Sequence, residues 1–231
     1  MVRISGSKAA TGAAQQIISM MPSHQRYLEG FGGTGAVMRR KLPAPLENII
    51  IEKDGAAAAQ LLLTAGPGWR IIHGDVFDYA RSLLAMPDLV AYFDPPYVLD
   101  TRRSERRIYR HEFTDPDHER LAAMLSETTV QARILVSGYA GLLYAGLYRH
   151  WRRQDFTVMT RGGPAIESVW MNYDPPEKFH DTRFIGANFT DRQRIKRKAA
   201  RWVKRLMSMP AAEREAILER IRLCSTATDQ K

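Results

Sequence analysis

The stretch Leu89-Val90-Ala91-Tyr92-Phe93-Asp94-Pro95-Pro96-Tyr97 decides how this chain is organised. Its five apolar residues include β-branched and aromatic members and predict a buried strand, because the prolines that follow can neither donate to a ladder nor continue a helix. The strand therefore ends abruptly at Asp94. Open parallel α/β sheets bind their ligands at the carboxyl ends of the strands. The carboxylate of Asp94 and the ring of Tyr97 are thus the first candidates for functional side chains.

The chain before this strand alternates between strand and helix patterns. Apolar strand patterns occur at residues 27–31, 48–54 and 69–73, and helix patterns occur at residues 4–22 and 55–64. Strands that alternate with helices in this way predict an α/β fold with a doubly wound parallel sheet. A chain of 231 residues is long enough for one such domain with an appendage.

A glycine-rich loop, residues 32–35, follows the first predicted strand and precedes a predicted helix start at residues 36–41. Glycine has no Cβ, so a ligand can approach the backbone closely, and a helix N-terminus favours polar or anionic groups. The next three strand ends carry the acids Glu52, Asp75 and Asp94. Three acids on successive strands beside a glycine loop predict a site for a nucleoside-containing ligand.

The second half of the chain begins with a polar segment, residues 98–117, that is dense in arginine and too irregular to form core. The elements predicted beyond its start are a helix, a strand, a short helix and two pairing strands, at residues 117–128, 134–137, 142–147, 151–159 and 168–173. We divide the chain into a body, residues 1–182, and a C-terminal tail, residues 183–231.

The tail carries most of the net charge of +9. It holds 13 Lys and Arg against 5 Asp and Glu, a net +8, which leaves the body nearly neutral. A basic appendage on a neutral body predicts a polyanionic partner, most commonly nucleic acid, although a merely solvated helix face is an alternative.

Two helices are predicted in the tail. Thr190-Asp191-Arg192-Gln193 has the pattern of a capping box at the start of the first helix, and Pro210 ends that helix. A second helix is predicted at residues 212–223. The first helix has an apolar stripe surrounded by basic residues, and the stripe consists of Ile195, Ala199, Trp202, Val203 and Leu206. This pattern predicts a basic helical hairpin packed on the body through the stripe.

Several classes of protein are excluded by composition. No apolar run approaches the roughly 18 residues of a membrane span, and no signal pattern is visible, so we expect a cytoplasmic protein. The single cysteine, Cys224, excludes an intramolecular disulfide and a multi-cysteine zinc site. The six histidines show no ligand spacing, and we expect no metal.

The motif Phe31-Gly32-Gly33-Thr34-Gly35, followed downstream by Asp94-Pro95-Pro96-Tyr97, resembles the Dam-like adenine-N6 DNA methyltransferases, particularly the short solitary forms of phages and prophages. The resemblance covers roughly residues 4–175. It implies a Rossmann-like methyltransferase sheet in a bacterial or phage-infected cell, with S-adenosylmethionine as cofactor and S-adenosylhomocysteine as product. A nicotinamide enzyme is the weaker interpretation, because the loop lacks the third glycine of that fingerprint.

The resemblance also implies roles for individual residues. The catalytic residues would be Asp94, Pro95, Pro96 and Tyr97. The cofactor would be bound by Lys8, Phe31, Gly32, Gly33, Gly35, Glu52, Asp75 and Asp94. Within this set, Glu52 would hold the ribose hydroxyls and Asp75 would contact the adenine ring.

The chain departs from the family pattern at the place where a target-recognition insertion is common. Asp75 and Asp94 are only 19 positions apart, which leaves no room for a domain. We therefore expect the arginine-rich segment and the tail to contact double-stranded DNA. The residues predicted to bind DNA are Arg102, Arg103, Arg106, Arg107, Arg110, Arg194, Arg197, Lys198 and Arg201.

The predicted function is transfer of a methyl group to the N6 amine of adenine in DNA. Asp94 favours adenine over cytosine N4, where serine is more common before the prolines, and over RNA or protein glutamine, where asparagine is usual. A methyltransferase-like DNA-binding protein without activity is the alternative from another class. The intact loop from Asp94 to Tyr97 argues against it.

Overall fold

The computed structural model describes residues 12–97, 112–160 and 163–228. The chain forms two compact units, Met1–Phe184 and Ile185–Lys231, and each is described by itself. The larger unit contains, in chain order, α1 (Ala13–Met20), β1 (Arg26–Glu29), β2 (Glu47–Glu52), α2 (Gly55–Thr64), β3 (Trp69–His73), α3 (Val76–Leu83), β4 (Leu89–Phe93), α4 (Asp115–Leu125), β5 (Arg133–Gly138), α5 (Leu142–Leu147), β6 (Arg152–Thr160), β7 (Gly163–Met171) and a 3-10 helix (Thr182–Phe184).

The strands form one seven-stranded sheet in the order β3-β2-β1-β4-β5-β7-β6. The first five strands in this order are parallel, which confirms the predicted α/β class. β7 is antiparallel to both of its neighbours, β5 and β6, so the sheet is mixed. β6 and β7 pair as predicted, but β7 begins at Gly163, five residues before the predicted strand at residue 168.

The central strand β4 is buried over its whole length because both faces of the sheet are covered. Leu89, Ala91 and Phe93 point to one face, where they share a core with residues of α3, α4 and α5. Val90 and Tyr92 point to the other face and pack with residues of α1. The apolar run in the sequence thus reflects a strand with a hydrophobic core on either side, and it carries Asp94 to the edge of the sheet.

The helix predicted at residues 36–41 is wrong, since this segment forms turns instead. Two helix-like hydrogen bonds are present, from the N–H of Arg39 to the carbonyl of Gly35 and from the N–H of Lys41 to that of Val37. Gly35 has a φ of 66°, and Pro43 follows two residues after Lys41. The chain therefore leaves the glycine loop in a left-handed conformation and meets a proline before a second turn can form.

The smaller unit contains α6 (Phe189–Met207) and α7 (Ala211–Thr228). The capping box predicted from Thr190 is wrong, because the N-cap is Asn188, whose side chain accepts a hydrogen bond from the N–H of Asp191 at 2.9 Å. Trp202 and Val203, in the predicted apolar stripe, are more than half exposed. The predicted hairpin and its packing on the body stay predictions. None of the described helices is long and apolar enough to span a membrane.

Candidate active site

The ends of β1, β2 and β4 bring the two sequence motifs together. The N–H of Gly30 donates to the carbonyl of Tyr92 at 2.8 Å, and the N–H of Gly32 donates to the carbonyl of Ile51 at 3.1 Å. The first bond ties the chain after β1 to the end of β4, and the second ties the glycine loop to the end of β2. The glycine loop and Asp94 therefore lie on adjacent strand ends of one sheet edge, as the sequence predicted.

The glycine loop needs glycine at three of its positions, for two different reasons. A Cβ at Gly32 would lie 2.5 Å from the Cγ2 of Ile50 and 2.7 Å from the Cδ1 of Leu61, so the loop packs against β2 and α2 too closely for a side chain. Gly33 and Gly35 have φ angles of 49° and 66°, which L-residues rarely adopt. A Cβ at Gly33 would meet no described atom within 4 Å, so the space beside its backbone is open. The loop is thus pressed onto the protein at Gly32 and open at Gly33.

Glu52 connects this loop to β2. One oxygen of its carboxylate accepts a hydrogen bond from the N–H of Gly33 at 2.6 Å, and the other accepts one from the N–H of Asp54 at 2.7 Å. Carboxylate oxygens have about four lone-pair sites, so Glu52 keeps acceptor capacity for a ligand hydroxyl. A half-buried acid beside an open glycine backbone fits the ribose of S-adenosylmethionine.

Asp75 has a structural role at the start of α3. Its carboxylate accepts hydrogen bonds from the N–H of Phe77 at 3.1 Å, which caps α3, and from Lys53 at 2.7 Å. Partial burial acts to raise the pKa of Asp75, but these hydrogen bonds outweigh it and hold the pKa below its usual value. Contact of Asp75 with an adenine ring stays a prediction.

Phe31 joins a cluster of aromatic rings at the same edge of the sheet. Its ring lies edge-on to Phe93, at 6.4 Å between centroids, and to Phe113, at 5.4 Å. Phe113 in turn stacks on Phe77 at 6.0 Å. Packing alone explains Phe31, and its predicted contact with the cofactor is not required to account for its position.

Asp94 is held by a residue that the sequence analysis did not select. The hydroxyl of Ser137, at the end of β5, lies 2.8 Å from Oδ1 of Asp94, and the hydroxyl of Tyr92 lies 2.9 Å from Ser137 Oγ. Ser137 is fully buried, and Tyr92 is 1% exposed. Pro95 follows as a buried residue. The catalytic candidate is therefore fixed from β5 and from the core as well as by its own loop.

Tyr97 also has a neighbour that was not predicted. The ring of Tyr139, which follows β5, lies 4.5 Å from the ring of Tyr97 between centroids, at an interplanar angle of 46°. Both rings are half-buried. A planar ligand at Asp94 would meet an aromatic surface made by the segments that follow β4 and β5.

A buried acid, Glu29, lies at the end of β1. It is 3% exposed and accepts a hydrogen bond from the hydroxyl of Tyr27 at 3.2 Å. Burial raises the pKa of Glu29 to about 8, and the charge of Asp94 adds to the rise, while the bond from Tyr27 and the charge of Lys41 oppose it. An acid inside an otherwise apolar strand pattern is the signal that could have identified it.

The protonation of Glu29 gives a testable pH dependence of stability. Its folded pKa of about 8 lies above the usual value of 4.5, so its contribution to stability is present at low pH and is lost as the pH rises toward 8. We expect the free energy of unfolding of the wild type to fall relative to Glu29→Gln between pH 5 and pH 8, by up to roughly 1 kcal/mol per pH unit. Urea unfolding of both proteins across this range measures it, and parallel curves would contradict it. Glutamine keeps an acceptor for Tyr27.

Some predicted site residues lie outside the described residues, and others lie in the smaller unit. The former are Lys8, Arg102, Arg103, Arg106, Arg107 and Arg110. The latter are Arg194, Arg197, Lys198 and Arg201, all exposed on α6. In the parts of the chain that the structure describes, no three His, Cys, Asp or Glu side chains are grouped to hold a metal ion.

No protein-family model and no curated protein matches the chain. Among solved structures, TrmK of M. capricolum with S-adenosyl-homocysteine is similar over 94% of this chain and 96% of that chain, at 7% identity and a TM-score of 0.45. Precorrin 8W decarboxylase of Methanobacterium thermoautotrophicum is similar over 74% of this chain and 94% of that chain, at 13% identity and a TM-score of 0.47. Spermidine synthase from Thermotoga maritima is similar over 70% of this chain and 60% of that chain, at 14% identity and a TM-score of 0.44.

The order of the seven strands, with β7 antiparallel to its neighbour β5, is typical of class I methyltransferases. No particular family is identified by the comparisons.

Proposed function

We propose that the protein is an S-adenosylmethionine-dependent methyltransferase that acts on the N6 amine of adenine in double-stranded DNA. One observation carries the proposal: the carboxylate of Asp94 lies at the end of β4, beside the glycine loop, is held by Ser137 at 2.8 Å, and is followed by two prolines and Tyr97. An acceptor fixed next to a nucleoside-binding loop suits a reaction in which an amine must be oriented.

The residues of this chain would prepare the amine for attack. The lone pair of an adenine amine is delocalised into the ring, and acceptors for both of its protons favour a tetrahedral nitrogen. Asp94 would supply one acceptor and the carbonyl of Pro95 the other. When bound, S-adenosylmethionine supplies a sulfonium methyl group that is already activated. Methyl transfer would break the carbon–sulfur bond as the carbon–nitrogen bond forms, and Asp94 would accept the proton that the nitrogen then releases.

The aromatic pair supports a nucleobase as the substrate. A base in a duplex must leave its stack to reach Asp94, which costs a few kcal/mol, and stacking on an aromatic side chain offsets part of that cost. Tyr97 and Tyr139 provide such a surface beside Asp94. We expect the duplex to lie over the carboxyl edge of the sheet, with the target base turned toward Tyr97.

Methyl transfer from labelled S-adenosylmethionine tests the proposal. The protein is incubated separately with duplex DNA, single-stranded DNA and RNA, and the label is recovered with each polymer. We expect label in duplex DNA. Label in RNA alone, or in no nucleic acid, would overturn the proposal.

The tail is proposed to bind DNA phosphates. Residues 189–207, which form α6, contain eight Lys and Arg and one acid, and Arg194, Arg197 and Arg201 share one face at spacings of three and four. Such contacts hold a duplex of any sequence and release counterions, so they make binding dependent on salt.

Neutralising this face gives the corresponding prediction. Arg194→Gln, Arg197→Gln and Arg201→Gln together should weaken binding to all duplex sequences and reduce the slope of log K against log salt by roughly 2 to 3. The matched control replaces Arg214, Arg220 and Arg222 in α7 and removes the same charge. Fluorescence anisotropy between 50 and about 200 mM salt measures both. Equal losses in the two variants would contradict a specific role for α6.

A further inference from the structure

The carboxylate of Asp94 is the last acceptor of a short chain of hydroxyl groups. Ser137 Oγ lies 2.8 Å from Asp94 Oδ1, and the Tyr92 hydroxyl lies 2.9 Å from Ser137 Oγ. A serine hydroxyl has one proton, and a carboxylate only accepts. Ser137 therefore donates to Asp94, and Tyr92 donates to Ser137. The number of protons on each group thus fixes the direction of both hydrogen bonds.

The sheet holds these hydrogen-bonded side chains in the core. Tyr92 of β4 is paired with Leu135 of β5 in the parallel register. Side chains alternate along strands, so Asp94 and Ser137, each two residues further on, point to the same face as Tyr92 and Leu135. Tyr92 and Leu135 belong to the core on the α1 face. The position of Oδ1 is thus set by buried groups that have little freedom to move.

From this geometry we infer that Tyr92 and Ser137 are positioning residues, which fix Oδ1 of Asp94 and so hold the carboxylate in one orientation toward the substrate. A carboxylate held in this way accepts from a base with an amino group at the reacting position and repels one with a carbonyl there. A carbonyl oxygen against this carboxylate would leave two acceptors facing each other with no proton between them. The inference rests on the proposed function and assigns the orientation of Asp94 to residues of β4 and β5.

Asparagine at position 94 exposes the role of Ser137. In Asp94→Asn, the proton of Ser137 requires the amide oxygen as its acceptor, so the amide NH₂ turns toward the substrate. Two donor groups then face each other, and the amine is poorly held. Without the Ser137 hydroxyl, the amide can rotate and offer its oxygen to the amine. The same change, Ser137→Ala, should therefore have opposite effects in the two backgrounds.

The experiment compares kcat and KM for duplex DNA in the wild type, Ser137→Ala, Asp94→Asn and the double variant. We expect Ser137→Ala to lower kcat about tenfold or more in the wild type, the range for loss of a hydrogen bond to a charged group. In the Asp94→Asn background it should raise kcat. Tyr92→Phe keeps the bond from Ser137 to Asp94 and should lower kcat less. A double variant whose loss equals the product of the single losses would overturn the inference.

A second measurement does not depend on activity. Urea unfolding of the wild type, Asp94→Ala, Ser137→Ala and both together forms a double-mutant cycle, and the hydrogen bond predicts non-additive free energies. Additive values would overturn the hydroxyl chain itself. The wild type could transfer no methyl group while the cycle remained non-additive. The proposed function would then be wrong, and the hydrogen bonds among Tyr92, Ser137 and Asp94 would have a structural role only.

Discussion

Replacing Asp94 by alanine is expected to lower kcat for methyl transfer to DNA by about 10²–10³-fold, the loss seen when one preorganised polar group at a reacting centre is removed. The substitution removes the acceptor that orients the amine. It removes one of the predicted cofactor contacts but leaves Glu52 and the glycine loop intact, so the affinity for S-adenosylmethionine should fall less than kcat. Single-turnover transfer and calorimetric titration of the cofactor measure the two quantities.

A matched control for this variant is Asp78→Ala, an exposed acid in the first turn of α3. It removes the same charge from the same unit and should leave kcat within a factor of about two, as for surface substitutions. An Asp94→Ala enzyme that kept wild-type kcat would remove Asp94 from the reaction. An equal loss in both variants would show that charge, rather than position, is responsible.

Replacing Glu52 by alanine is expected to weaken S-adenosylmethionine binding by about 10- to 100-fold, corresponding to the loss of a charged hydrogen-bond acceptor. The carboxylate joins Gly33 to Asp54 and is the acceptor proposed for the ribose hydroxyls. Without it, the N–H of Gly33 loses its hydrogen bond to β2. Calorimetric titration with S-adenosylhomocysteine measures the affinity without turnover.

Glu47→Ala is the control at the opposite end of β2. Glu47 forms an ion pair with Arg70, at 3.6 Å, away from the carboxyl edge. Both variants remove one acid from one strand, so a loss of affinity confined to Glu52→Ala would assign the effect to the site. Unchanged affinity in Glu52→Ala, with a folded protein, would contradict the assignment of the ribose position.

The sequence predicts elements best where a local pattern and the three-dimensional environment agree. The strand at residues 89–93, the helix at residues 55–64 and the strand at residues 69–73 have the bounds that the sequence predicted. Their signals are local: a β-branched and aromatic run, an alanine- and leucine-rich run, and flanking glycine and proline. The helix predicted at residues 36–41 is wrong because the spacing of apolar residues carries no information about the positive φ angles in the glycine loop before it.

The candidate site was predicted only in part, because half of it depends on strand register. Glu52, Asp75 and Asp94 stand out in the sequence as acids at strand ends. Ser137 lies at the end of an ordinary apolar strand and Tyr139 follows it, and nothing local in the sequence distinguishes either as a site residue. They lie close to Asp94 and Tyr97 because β5 pairs with β4. The two pairs of residues are more than 40 positions apart in the sequence. A polar residue ending an apolar strand run was the weak signal available.

The identity of the methylated base tests the central claim most directly. DNA from bacteria that express the wild type or Asp94→Ala can be digested to nucleosides and separated by mass spectrometry, in a host without adenine methylation of its own. The proposal predicts N6-methyladenine with the wild type and none with Asp94→Ala. N4-methylcytosine in its place, or no methylated base in DNA from cells with soluble wild-type protein, would contradict it.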